Sequence, residues 1–256
     1  MSRFGNLEFD GQAETPRTEG VVREDQCHLD EAEAAFRRGD FEQALRFFAR
    51  VLEVNPRSAA AWTGQVRMLI ELGYFQEAGV WASKALEQFP DDPELLAARA
   101  VTLARSGDLR GALAMSDAAI AEHGDTPYIW LARGDVLLAR KEKRADYCFT
   151  KALAAAAHDW LWPWLASRVH AFYRKFSLAL RFANQALALD AGHAVIWAQL
   201  ARCQFALGMA AQARESFAQA GQLDAHCALV KAVLERSATA GWWDWMVGAW
   251  RRWRGG

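Results

Sequence analysis

Apolar residues recur along most of this chain at i, i+3, i+4 and i+7, the spacing that gathers them on one face of an α-helix. From Phe41 the pattern runs through Ala44, Leu45, Phe48, Val51 and Leu52, and Asn55-Pro56 closes it. Proline cannot continue a helix, and it pushes the residue before it out of the α region. Pro90 repeats that stop further along, whereas Pro93 and Pro127 fall at first-turn positions, where a missing amide hydrogen costs nothing. No window holds a sustained two-residue alternation. The pattern predicts an all-α chain of helix-turn-helix pairs.

The pairs repeat. Gly39-Asp40-Phe41-Glu42-Gln43-Ala44-Leu45 returns in outline at Gly73, Gly107 and Gly208, and the alanines Ala44, Ala78, Ala112, Ala145, Ala179 and Ala213 are separated by 34, 34, 33, 34 and 34 residues. Seven residues after each, Val51, Ala85, Ala119, Ala152, Ala186 and Ala220 form a second column of small side chains. Small residues in both columns let helices cross closely. Two units depart from the pattern: the fourth is one residue short, and the fourth and fifth have Lys141 and Arg174 near the place of the turn glycine. In Trp160-Leu161-Trp162-Pro163-Trp164, Trp162 fits the local apolar spacing while Trp164 keeps the distance from Trp130, so the register of the fifth unit stays open between them.

With Trp62, Trp130 and Trp197 in one column, Phe48, Phe149 and Phe217 in another, and Pro56 and Pro90 closing units, residues 25 to 227 resemble the tetratricopeptide repeat family. The resemblance implies a right-handed superhelical solenoid of about six helix-turn-helix units, closed by a degenerate C-terminal helical cap. The solenoid proper is expected over 23–241. It also implies a concave groove lined by the first helix of each unit. The groove residues it selects as partner-binding are Arg37, Arg67, Ile70, Val101, Arg105, Tyr128, Leu131, Arg202 and Phe205. Groove charge balances, with Arg37, Arg67, Arg105 and Arg202 against Glu33, Glu71, Glu94 and Asp135. The carboxylate clamp by which some members hold chaperone tails needs Lys and Asn where this chain has Leu29 and Glu33, which argues against that activity. The sequence leaves two readings of the alternation Arg37, Glu71, Arg105: a ladder of ion pairs that stiffens the stack, or arginines offered to a partner's carboxylates.

Composition changes this picture little. A net charge of −1, from 30 basic and 31 acidic residues, supplies no basic field for nucleic acid. Cys27, Cys148, Cys203 and Cys227 are scattered without metal-ligand spacing and read as buried free thiols of a reducing compartment. The acidic start of the chain lacks the apolar core of a secretory signal. These features place the protein in the cytoplasm, and the preference for Arg over Lys, 24 to 6, suggests a bacterial source.

The six histidines are dispersed, and no catalytic, phosphate-binding or metal-binding motif occurs. The expectation is therefore a protein that is not an enzyme, needs no cofactor and no metal, and works as a protein-protein interaction scaffold or adaptor through its groove. An enzyme is the disfavoured alternative.

The two ends carry their own expectations. Residues 1–22 read as a flexible segment, with Phe4, Leu7 and Phe9 as an alternative short docking motif. In 242–256, Trp242, Trp245, Met246, Trp250 and Trp253 form one stripe of an amphipathic helix with Arg251, Arg252 and Arg254 off it. That tail suits a cap on the solenoid, a docking peptide, or an interfacial anchor that would make the protein a membrane-associated assembly factor peripheral to the inner membrane.

Overall fold

The computed structural model describes residues 19–224 apart from 123, with side chains from residue 25 onward. The expectations for Phe4, Leu7, Phe9, Cys227 and the tryptophan tail fall outside those residues. Twelve helices and no strand are present among the described residues: α1 (Glu19–Arg37), α2 (Phe41–Val54), α3 (Ala59–Leu72), α4 (Phe75–Gln88), α5 (Pro93–Ser106), α6 (Leu109–Ala121), α7 (Pro127–Ala139), α8 (Ala145–Ala155), α9 (Leu161–Phe172), α10 (Phe176–Leu189), α11 (Ala194–Ala206) and α12 (Ala210–Leu223). They form six consecutive antiparallel pairs, and most second helices also pack on the first helix of the next pair. The first helix starts at Glu19, ahead of the residue 23 at which the solenoid was expected to begin.

Local sequence explains the boundaries. Asp40, Ser58, Asp92, Asp108 and Thr126 each precede a helix and accept a hydrogen bond from an amide of its first turn. Between paired helices the chain passes through left-handed backbone at Gly39, Gly73, Gly107 and Gly208, and at Lys141 (φ 60°) and Arg174 (φ 59°) in the two units without the glycine. The short fourth unit has a physical counterpart. Residues 142–144 form a turn in which the Glu142 carboxylate accepts hydrogen bonds from Arg140 (2.7 Å) and Arg144 (2.6 Å). The helix α8 consequently begins at its column alanine, Ala145, whereas its counterparts begin three residues earlier.

Both alanine columns are buried along their whole length, Ala44, Ala78, Ala112, Ala179, Val51, Ala85, Ala119, Ala152, Ala186 and Ala220 completely. In the fifth unit Trp164 is the fourth residue of α9, as Trp62, Trp130 and Trp197 are of theirs. It is fully buried, its indole N–H donating to the Val195 carbonyl at 3.1 Å. Trp164 therefore holds the tryptophan place. The reading of all cysteines as buried needs one correction. Cys148 and Cys203 are buried, but Cys27 is exposed, because it lies on the outward side of the terminal helix α1.

One core group is a buried imidazole. His170 on α9 is fully buried against the rings of Phe149 (4.5 Å) and Phe182 (4.9 Å). Its Nδ1–H donates to the Ala166 carbonyl at 2.8 Å, which leaves Nε2 without a partner among the described residues. Burial depresses its pKa, against the pull of the Ala166 carbonyl and Asp146 and with the push of Lys175 and Arg181. The unfolded chain takes up this proton near pH 6.5 and the folded one only at lower pH, so stability is full above about pH 6.5 and falls as acid is added below it. Thermal melts at pH 7.5 and 5.5 should show the loss in the wild type and a smaller loss in His170→Leu. Equal losses in both would remove His170 as the cause.

Candidate partner-binding face

The first helices α1, α3, α5, α7 and α9 turn their inner sides toward one another, and the space between them is nearly filled. Phe36 and Phe41 meet Trp164 at ring distances of 6.5 and 6.3 Å, and Phe75 meets Phe172 edge-on at 5.7 Å. These contacts join the first two units to the fifth. What remains at the centre, between Arg67, Ile70, Val101, Tyr128, Leu131 and Leu165, is about 30 Å3, room for a water or two and not for a partner's side chain.

The charged residues of this face pair with one another. Arg37 grips the Asp159 carboxylate with two hydrogen bonds of 3.0 and 2.8 Å and also reaches Glu33 at 3.2 Å. Arg168 donates to Glu71 at 2.7 Å. Arg105 donates twice to Asp135, at 3.1 and 2.7 Å, and the Tyr173 hydroxyl takes the other carboxylate oxygen at 2.6 Å. The Arg105 and Asp135 side chains are only 7% and 2% exposed.

The electrostatics follow from this arrangement. Burial pushes the Glu71 carboxyl upward, but Arg168, Arg105 and Arg67 outweigh it and hold the group below the usual carboxylate range. Burial works against the Arg105 charge, and Asp135 and Glu71 more than restore it. For Tyr128 burial wins over Arg67, so its phenol stays protonated.

The nine groove residues named by the sequence therefore divide. Ile70, Val101, Tyr128 and Leu131 are buried in the closed centre. Arg105 and Arg37 are held by Asp135 and Asp159, and Arg67 lies over the Tyr128 ring at 4.1 Å and the Phe36 ring at 5.1 Å. Arg202 is half-buried at the last described unit, and Phe205 beside it is 42% exposed. Arg37, Glu71 and Arg105 belong to a stiffening network, as the first reading of their alternation required: Arg105 pairs with Asp135 of the next unit, as in a ladder, whereas Arg37 and Glu71 find their partners across the groove at the fifth unit.

Sequence reasoning missed those partners: Asp159, Arg168, Phe172 and Tyr173, all in or next to the fifth unit. A signal for one of them existed. Counted back six residues from the left-handed turn residues Gly73, Gly107, Lys141, Arg174 and Gly208, Arg168 shares a column with Arg67, Val101, Asp135 and Arg202.

No helix among the described residues is long and apolar enough to cross a membrane, and no cluster of three or more His, Cys, Asp or Glu among them could hold a metal ion. Two family models, both described as tetratricopeptide repeat, match residues 29–93 and 174–236. No curated protein matches the sequence. A thermophilic tetratricopeptide repeat protein of Thermus thermophilus is similar in structure, with a TM-score of 0.54 at 20% identity over 71% of this chain and 99% of that one. A tetratricopeptide repeat protein from Parabacteroides merdae has a TM-score of 0.50 at 15% identity, covering 86% and 88% of the two chains. The crystal structure of the APC/C hetero-tetramer Cut9-Hcn1 also matches at 0.50 and 14% identity, over 85% of this chain, which spans only 45% of the matched one. At such identities the likeness concerns the fold.

Proposed function

Since this chain belongs to the tetratricopeptide repeat family, whose members generally mediate protein-protein interactions, we propose that it is a non-enzymatic scaffold or adaptor. Its partner is a protein segment seated on the open end of the inner face, around Arg202 and Phe205. The observation that carries this reading is the contrast along that face. At the helix position of Phe205 the first four units bury Phe36, Ile70, Ala104 and Leu138, whereas Phe172 and Phe205 of the fifth and sixth keep 40% and 42% of their surface exposed. Exposed aromatics beside a cation are the kind of anchor that a protein interface uses.

The test is affinity purification from the native host followed by mass spectrometry, with three proteins compared. Phe205→Asp should lose the partners that the wild type retains, with helical circular dichroism unchanged. Tyr147→Asp, altered at another exposed aromatic (59% exposed), should keep them. Full retention by Phe205→Asp would exclude the open end as the binding surface.

A further inference from the structure

A second pocket lies between α4 and α5, on the side of α5 opposite Val101 and Arg105. Its volume is about 300 Å3, at the lower edge of ligand-binding cavities and suited to one side chain. The repeat explains why it is there. The residue after each column alanine is Leu45, Gly79, Leu113, Asp146, Leu180 and Arg214, so the second unit alone has a glycine where three others have leucine. A Cβ on Gly79 would come within 2.8 Å of the Arg99 guanidinium, which occupies the space the missing side chain leaves.

Arg99 is equipped to bind. One Nη1 hydrogen bond of 2.7 Å goes to the Gly79 carbonyl, which also accepts the Ser83 hydroxyl at 3.0 Å. That carbonyl is thereby saturated. Among the described residues no carboxylate pairs with Arg99, so its remaining N–H groups are unspent. The rim is mixed: Val80, 70% exposed, and the partly buried Phe75 and Leu103 stand beside Gln76, Ser83, Thr102 and Ser106.

We propose that this pocket docks an acidic side chain of a partner protein, its carboxylate taken by the free edge of Arg99 and an adjacent apolar residue resting on Val80. A planar guanidinium with one edge already fixed presents two parallel donors to a carboxylate, and the partly enclosed wall strengthens the charge-assisted bonds. The site is separate from Phe205, so the two surfaces stand or fall independently.

The experiment pans a random 12-residue phage-displayed library on the full chain and counter-selects on Gly79→Leu, a variant that restores the leucine of the first, third and fifth units and fills the pocket. Selected peptides should be enriched in an acidic residue next to an apolar one. The best of them, labelled and titrated by fluorescence anisotropy, should lose at least about tenfold in affinity when its acid is changed to the amide, and as much on the Arg99→Gln protein. The Phe205→Asp protein should bind it as the wild type does. Thermal melts verify that each variant is folded. Failure to select a peptide, peptides without an acid, equal binding to Gly79→Leu or Arg99→Gln, or loss on Phe205→Asp would each overturn the proposal.

Discussion

Asp135→Ala is expected to lower the unfolding free energy by about 3–5 kcal/mol, the range for removing one member of a buried ion pair. The carboxylate is 2% exposed and accepts three hydrogen bonds, two from Arg105 and one from Tyr173. Without it the Arg105 guanidinium, 7% exposed, keeps its charge in an enclosed site with only the more distant Glu71 to balance it. The phenol of Tyr173 loses its acceptor at the same time. Most of the cost comes from the stranded arginine, so the double variant Asp135→Leu, Arg105→Leu should recover a large part of it. Urea denaturation of the two variants distinguishes the contributions. A loss below about 1 kcal/mol for Asp135→Ala, the size of an exposed pair, would show that water reaches the inner face.

Gly64→Ala should cost about 1–3 kcal/mol, as overpacking of a fitted core does, although alanine is the better helix former. The added methyl would clash with three carbons of the Phe48 ring at the crossing of α2 and α3. Phe48 is 7% exposed and has no free direction in which to swing. Shortening that ring in Gly64→Ala, Phe48→Leu should return part of the loss, a coupling that independent sites do not show. Gly134 faces Phe149 at 2.9 Å in the fourth unit, so Gly134→Ala should be milder. Equal melting of Gly64→Ala and wild type would mean that the two helices are farther apart than described.

These two sites mark how far the sequence could be read. At the Gly64 crossing the sequence marked Phe48 as a column aromatic but not Gly64, which lies in neither column of small residues; those columns mark where helices touch, and every column alanine is indeed buried. The missing glycines at Lys141 and Arg174 were equally readable, because the turn demands left-handed backbone whichever residue stands there. Asp135 was visible as a groove charge, but its bonds were not. A 34-residue period fixes the step from one unit to the next and leaves open how tightly the steps curl. The curl decides whether Arg37 looks into solvent or meets Asp159, 122 residues away. It was also hidden by the fifth unit, where Trp162 and Trp164 competed for one place and left Arg168 and Phe172 unassigned.

The closure of the inner face is the claim on which the placement of the binding surface rests, and an electron-electron distance tests it. Nitroxide labels on Cys residues replacing Arg38 and His158, in a background without the native cysteines, report the separation of the first unit from the fifth. The pairing of Arg37 with Asp159 at 2.8 Å predicts a single narrow distribution centred at roughly 20 Å, about two helix diameters once the label linkers are included. Five first helices laid side by side without curling would stand four steps of about 9 Å apart, roughly 35 Å or more from end to end. A distribution centred there would contradict the closed face and return the groove centre to the partner.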